Sequence, residues 1–408
     1  MKKLYFILFI APLIASQVFA QPGHWTPRHS GTTQHLLAIS APTLTTAYAS
    51  GTGGIILKTS DAGYSWIQQY STTTQDLYSI HFTDALRGYA VGNAGTAVRT
   101  VDGGNTWTPM NITNLSLRSV RFVDDTTGYI TGGISTSYGM IYKTTNAGIS
   151  WTLLSVSAPN VIYSTYFTSL SEGYAAEWNG HIYKTTDAGA TWNIFSAGYT
   201  QSPADFYFTS ASNGFTCALG GVISKTNDGG NTWVGGISSG TTDAMADIEF
   251  FDSNHGFIVG GNISAGTGRI LKTNDGGQTW NNYPITTSRL FRLSFVNSTT
   301  GYACGLNGTI LKYSSNPVIT GTGNGQTGNE IRVYPNPATE SVKIETDLAL
   351  NEECKIELTD LCGRVIACQI IREEGSVTLK RQDTATGIYY LTLHDQQGNI
   401  RTAKIIFQ

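Results

Sequence analysis

The chain has 408 residues, enough for two or three domains. It carries 46 glycines, only 13% charged residues and no long helical periodicity, which together read as an all-β protein. A net charge of −3 argues against nucleic acid or a membrane surface as partner.

Residues 1–20 read as a secretory signal: Lys2 and Lys3 form the charged start, 4–14 the apolar run, and Val18-Phe19-Ala20 a cleavage site before Gln21. No cysteine follows that site, which argues against a lipid anchor. No later stretch is long and apolar enough to span a bilayer.

From Trp25 onward the chain repeats itself. Trp25, Trp66, Trp107, Trp151, Trp192, Trp233 and Trp280 are separated by 41, 41, 44, 41, 41 and 47 residues. The last six close a phrase of the form T-x-D-x-G-x-T-W, with Asn146 replacing the aspartate in the third copy. A period of this size marks a repeat architecture. The second unit shows its content. Residues 77–82 alternate like a half-buried strand, 84–88 turn, 89–92 form a short apolar strand, 93–95 turn again, 96–100 form a third strand, and Trp107-Thr108 open a fourth. Four short antiparallel strands in about 40 residues make a propeller blade.

The Asp phrase has a mechanical reading. A short carboxylate closes a turn by bonding its own backbone two residues on. Glycine at Asp+2 permits a positive φ, and the tryptophan plugs the hairpin onto its blade. Asn146 keeps the acceptor and loses the charge, so the phrase serves hydrogen bonding rather than a cation. The seventh unit, 290–312, ends without a phrase or a tryptophan. Its missing fourth strand is the surplus segment around Trp25-Thr26-Pro27-Arg28, so the N-terminal strand is expected to close the ring.

The phrase resembles the Asp-box (BNR) repeat of sialidases and related propellers. The longer pattern G-Y-A-x-G-x-x-G-x-I-x-K-T-x-D-G-G-x-T-W is similar to the photosystem II assembly/stability factor family, whose members are seven-bladed propellers. The resemblance covers 25 to about 315 and implies the fold.

Residues 316–330, with Thr320-Gly321-Thr322-Gly323-Asn324-Gly325, read as a linker. A second domain follows, with seven short strands expected at 331–334, 341–346, 354–359, 364–371, 376–379, 388–394 and 401–407, a small β-sandwich. Val333-Tyr334-Pro335-Asn336-Pro337-Ala338, Asp360-Leu361-Cys362-Gly363-Arg364-Val365, Thr386-Gly387-Ile388-Tyr389-Tyr390-Leu391 and the final Lys404-Ile405-Ile406-Phe407 resemble the type A C-terminal sorting domain of the type IX secretion system. That resemblance implies export across both membranes of a Gram-negative cell, with the domain removed or exchanged for a surface anchor. The expected organisation is a signal at 1–20, a seven-bladed propeller at 21–315, a linker at 316–330 and a sorting sandwich at 331–408.

Of five cysteines, Cys217 and Cys304 occupy the repeat position of Val91 and read as small core hydrophobes. Cys354 and Cys368 lie on facing strands around Cys362. A bridge there is compatible with export, and the sequence does not decide the pairing.

Candidate binding residues come from departures in the repeat. Aligned first strands give one column reading Ala38, Ser79, Ser119, Ser164, Asp205, Asp247, Arg292, and another reading Ser40, His81, Arg121, Tyr166, Tyr207, Glu249, Ser294. Their charges are expected at the rim of the axial channel. Glu177-Trp178 sit on a turn, and the turns 132–139 and 260–268 are long. All three fall at the same structural place and so on one face, often the binding side of a repeat fold. Trp178, Glu177, Asp205, Asp247, Arg292 and Arg118 are the candidate ligand contacts. Sialidase chemistry needs an arginine triad, but Arg118, Arg121 and Arg292 come from only two first strands, and the early Arg-Ile-Pro signature of those six-bladed enzymes is missing. Other glycosidases of this repeat class use two carboxylates across a cleft, at about 6.5–9.5 Å for inversion; Asp205 and Asp247 are the one matched pair. The seven histidines show no ligand spacing. The reading is a secreted or cell-surface propeller that binds a protein or a glycan without catalysis, metal or cofactor. The alternative is an extracellular glycoside hydrolase using Asp205 and Asp247.

Overall fold

The structure, a computed structural model, describes residues 23–315 and, further on, 332–334, 338–345, 354–360, 365–371, 376–380, 386–394 and 400–407. The signal and linker readings lie outside these residues. The chain divides into two compact units, 1–316 and 317–408. Among the described residues, no helix is long and apolar enough to cross a membrane.

The first unit is seven four-stranded antiparallel sheets. Blades 1–6 each use four consecutive strands, those of blade 2 being Leu77–Phe82, Gly88–Gly92, Ala97–Thr100 and Thr108–Pro109. Blade 7 takes Leu290–Asn297, Thr300–Gly305 and Ile310–Ser314, and its fourth strand is His24–Arg28, with Trp25 opposite Tyr313. The N-terminal strand therefore closes the ring as the surplus segment predicts. This leaves no blade with an unfilled outer position.

Blades 2–7 are each locked by an aromatic trio, whereas blade 1 has Ala41 in place of the phenylalanine. Phe82, at the end of its first strand, meets Trp107 edge to face at 5.9 Å and stacks on Tyr48 of the preceding blade at 3.6 Å. Phe122, Phe167 and Phe208 repeat both contacts, on Tyr89, Tyr129 and Tyr174. Such pairs contribute about 0.5–1.5 kcal/mol each beyond buried area. Gly88 is required by the same ring: a Cβ there would lie 2.4 Å from Phe82.

The Asp phrases close their turns over a longer reach than the sequence reading assigns. The Asp102 carboxylate accepts from the backbone N–H of Thr106, four residues on, at 2.9 Å and from its hydroxyl at 2.6 Å. The Gly104 N–H, two residues on, goes instead to the Thr100 hydroxyl at 2.9 Å, with Gly104 at φ +83°. Those hydrogen bonds hold the Asp102 carboxyl down at about 2, the Thr106 hydroxyl contributing most. Asn146 keeps this network: its oxygen accepts the Ser150 N–H at 3.0 Å, while its amide donates to the Ser150 hydroxyl at 2.9 Å.

The second unit has a three-stranded and a four-stranded sheet around one core that includes Val342, Ile344, Ile356, Leu391, Ile405 and Phe407. All seven expected strands are present. Cys354 pairs with Ile371 and Cys368 with Glu357, so backbone register does not set the two cysteines opposite each other.

Candidate functional site

Every first strand begins with the same irregularity. In blade 2 Leu77 pairs with Gly92 and Ser79 with Val91, leaving Tyr78 as an extra residue. The bulge recurs in all seven blades. A bulge re-aims a side chain out of the strand's alternation. The extra residues are Leu37, Tyr78, Arg118, Tyr163, Ala204, Ala246 and Phe291. They lie at the end of each blade that carries the turn between second and third strands, because strand start and turn are paired: Ile162 with Glu177, Leu117 with Gly132, Ala244 with Gly261. The three departures in the repeat therefore share one face, and the bulge column lies beside them.

On blades 2–4 that column forms a continuous patch. The Arg118 guanidinium lies 4.6 Å from the Tyr78 ring centre and 5.5 Å from that of Tyr163. Tyr163 touches Trp178 at 5.5 Å, and Trp178 is 41% exposed. In the neighbouring turn of blade 3, Ile134 and Tyr138 are also exposed. The hairpin there is simply longer, with Ile134 paired to Tyr138. Sequence reasoning finds Arg118 and Trp178 and misses Tyr78 and Tyr163. The aligned columns followed strict alternation, and the bulge moves these residues out of it. Their shared offset of one residue before the serine column is the signal that would have found them.

Glu177 does not belong to this surface. It ends the strand Gly173–Glu177 and is fully buried. One carboxylate oxygen accepts from the Asn160 amide at 2.8 Å and the other meets His181 Nδ1 at 2.7 Å. A buried carboxylate must be satisfied in this way, and Glu177 orders the base of the turn that carries Trp178.

The axial charges are also more internal than a rim. Asp205 and Asp247 are 2% and 3% exposed. Inner strands are sheet edges with outward N–H groups that need partners, and the two columns supply them across the seams. Ser40 accepts the Phe82 N–H at 3.1 Å, Ser79 that of Val120 at 3.2 Å, and Ser294 that of Ala41 at 3.0 Å. Asp247 does the same for Leu293 at 2.6 Å, and Glu249 for Phe295 at 3.1 and 3.2 Å. Arg292 donates to the Ala246 carbonyl at 2.7 Å, and Arg121 reaches Asp205 at 3.5 Å. Burial, then the Asp205 charge, pushes the Asp247 carboxyl well above the usual carboxylate range. Glu249 is pushed up to about 7 by burial, against the opposing effects of the Phe295 N–H and the Arg121 charge.

Asp205 and Asp247 are both buried, and Asp247 already accepts the Leu293 N–H, whereas a glycosidase presents its two carboxyls to a substrate across an open cleft. The pair is a poor fit to the hydrolase alternative. Among the described residues no cluster of histidine, cysteine and carboxylate side chains could hold a metal. Cys217 and Cys304 are buried in the core, where burial pushes both thiols up.

These features define the class: a seven-bladed repeat propeller followed by a separate small sandwich. Residues 65–198 match the family described as photosynthesis system II assembly factor YCF48, and residues 332–408 match the secretion system C-terminal sorting domain. The chain thus carries a propeller with YCF48-like repeats and a type IX sorting domain. Among solved structures, YCF48 bound to D1 peptide is 20% identical, with a TM-score of 0.59 over 71% of this chain and 96% of that one. YCF48 from Cyanidioschyzon merolae is 18% identical, with a TM-score of 0.59 over 71% and 98%. PorZ of Porphyromonas gingivalis, a bacterial surface component of the type-IX secretion system, is 13% identical, with a TM-score of 0.54 over 92% of this chain and 59% of that one. At these identities the likeness is one of fold. No curated protein matches the chain by sequence.

Proposed function

We propose that the chain is exported through its sorting domain and works outside the cell as a binding propeller for a protein or a glycan, without catalysis. The observation that carries the reading is the shared face: Trp178, the lengthened hairpin at Ile134–Tyr138 and the 262–267 turn depart from the repeat at one end of the blades. Exposed aromatic groups clustered beside a cation are the usual make-up of a recognition patch. A YCF48 structure with a peptide bound is a precedent for this architecture as a binder. Asp205, Asp247 and Arg292 belong to the inner strands of blades 5–7, away from the patch, and Arg118 and Trp178 make the contacts.

The test is a panel of immobilised oligosaccharides and peptides, probed with the full chain and with Trp178→Ala. Ligands retained by the wild type should be lost by the variant, with the melting temperature unchanged within a degree or two. A bound ligand indifferent to Trp178 would remove this face as the site. Export is tested separately: deleting residues 331–408 should leave the propeller in the periplasm, and normal levels in the medium or on the surface would refute it.

A further inference from the structure

The geometry points to an acidic sugar as the ligand of the blade 2–4 patch: a pyranose carrying a carboxylate, seated on Trp178 and Tyr163 with its charge on Arg118. This rests on the binding face proposed above and names what that face selects. Three observations support it.

Arg118 is pre-positioned and unspent. Its guanidinium lies over the rings of Tyr78 and Tyr163, one from each neighbouring blade, which fixes the plane of the donor fork. Its Nε is buried without a hydrogen-bond partner, and among the described residues no carboxylate forms an ion pair with it. The other guanidinium of the inner strands closest in sequence, Arg121, has Asp205. A planar cation without an internal counter-charge is complementary to a carboxylate.

The rest of the patch is aromatic. Trp178 is tilted by 35° against Tyr163 and offers an exposed indole. The Tyr163 ring is half-buried, packed between the Arg118 guanidinium and the Trp178 indole. Two such surfaces suit the apolar face of a sugar ring, while a few polar groups set its orientation.

The patch offers little to a peptide backbone. The turn N–H groups are spent internally: Trp178 on the Val161 carbonyl, Gly133 on that of Ser116, Gly139 on that of Ala158. An extended peptide gains its affinity from main-chain pairing, and a uronic acid does not require it.

The experiment titrates the full chain calorimetrically with an oligogalacturonate, with the same oligomer methyl-esterified, and with poly-L-glutamate. The acidic oligomer should bind. Esterification should weaken it about tenfold or more, as should Arg118→Gln, each removing one charge-assisted pair. Arg118→Lys should recover only part of the loss, and Trp178→Ala should weaken binding several-fold. Arg87→Gln, on the turn between first and second strands at the opposite end of blade 2 and paired with Asp84 and Asp125, should change nothing. If Arg118→Gln does not fold, the ester comparison and Trp178→Ala decide. Equal binding of acid and ester, or binding unaltered in Arg118→Gln, overturns the proposal. Poly-L-glutamate bound through Trp178 while the oligogalacturonate is not bound overturns the sugar and leaves the binding face. Binding of neither overturns the acidic ligand, and the panel described above then decides the face.

Discussion

Blades 1–4 and blades 5–7 close one ring with different chemistry. In blades 1–4 a second-strand tyrosine reaches into the next blade's Asp phrase: Tyr48 to Gly103, Tyr89 to Ala147, Tyr129 to Ala188 and Tyr174 to Gly229, at 2.7–3.0 Å. The inner seams there use serine hydroxyls where a partner is made, Ser40 and Ser79. In blades 5 and 6 the tyrosine is Phe215 and Phe257, and in blade 7 the Tyr302 hydroxyl is buried without a partner. The inner seam from blade 6 to blade 7 uses the carboxyls of Asp247 and Glu249 instead. Position in the repeat thus assigns these acids a structural task that neutral serines perform elsewhere. Charge in a propeller's inner strand is weak evidence for a site until its partners are known.

The largest effect expected is from breaking the closure. Deleting residues 21–30 removes the fourth strand of blade 7 and Trp25, whose side chain alone is worth about 3–5 kcal/mol. The ring should lose cooperative unfolding or melt far lower by circular dichroism. An unchanged midpoint would refute the closure.

Next is the acid seam, read by pH. Asp247 and Glu249 are raised above their ordinary values, Glu249 to about 7. The folded state therefore binds more protons than the unfolded one, and the stabilisation is complete below about 4.5 and lost as pH rises through about 7. The phrase carboxylates work the other way. Asp102 and Asp275, held at about 2, weaken the fold only as pH falls below about 4. The melting temperature should consequently fall between pH 5.5 and pH 8. Asp247→Asn with Glu249→Gln should flatten that slope, whereas Asp247→Ala, which strands the Leu293 N–H, should cost about 1–3 kcal/mol at both pH values. A wild-type melt that rises toward pH 8 would contradict the protonated seam.

The smallest effects sharpen the comparison between the halves. Tyr89→Phe removes the hydroxyl partner of the Ala147 carbonyl and should cost about 1 kcal/mol by urea unfolding. Tyr174→Phe should cost less, because Lys184 also donates to the Gly229 carbonyl, at 2.6 Å. Tyr302→Phe, with nothing to lose, should be neutral or stabilising. Equal costs at all three would show that the hydroxyl bonds are not what distinguishes the seams.

Much of the architecture was legible in the sequence. The tryptophan spacing gave the number of blades, the missing last phrase gave the closure by Trp25, and Asn146 gave the hydrogen-bonding nature of the phrase. These are local signals, since turns and alternation are set by neighbours in the chain. The candidate site was legible only in part. Trp178 and Arg118 stand out as residues, and the shared face of the three turns follows from repeat geometry. Glu177 was read as a turn residue and is a buried acceptor. Asp205 and Asp247 were read as a rim and are buried in the ring, Asp247 as the acceptor of a seam N–H.

What the sequence determined by itself is the repeat, its period and the two folded units, because each rests on contacts within a blade or on matched motifs. What only the tertiary structure decided is the work of the odd residues. A bulge shifts the alternation by one residue and brings Tyr78, Arg118 and Tyr163 from three blades together. The seams bring Asp247 onto the backbone of Leu293, 46 positions away. A side chain's role depends on the partner it finds across a seam, and seam partners are fixed by closing the ring rather than by the order of residues.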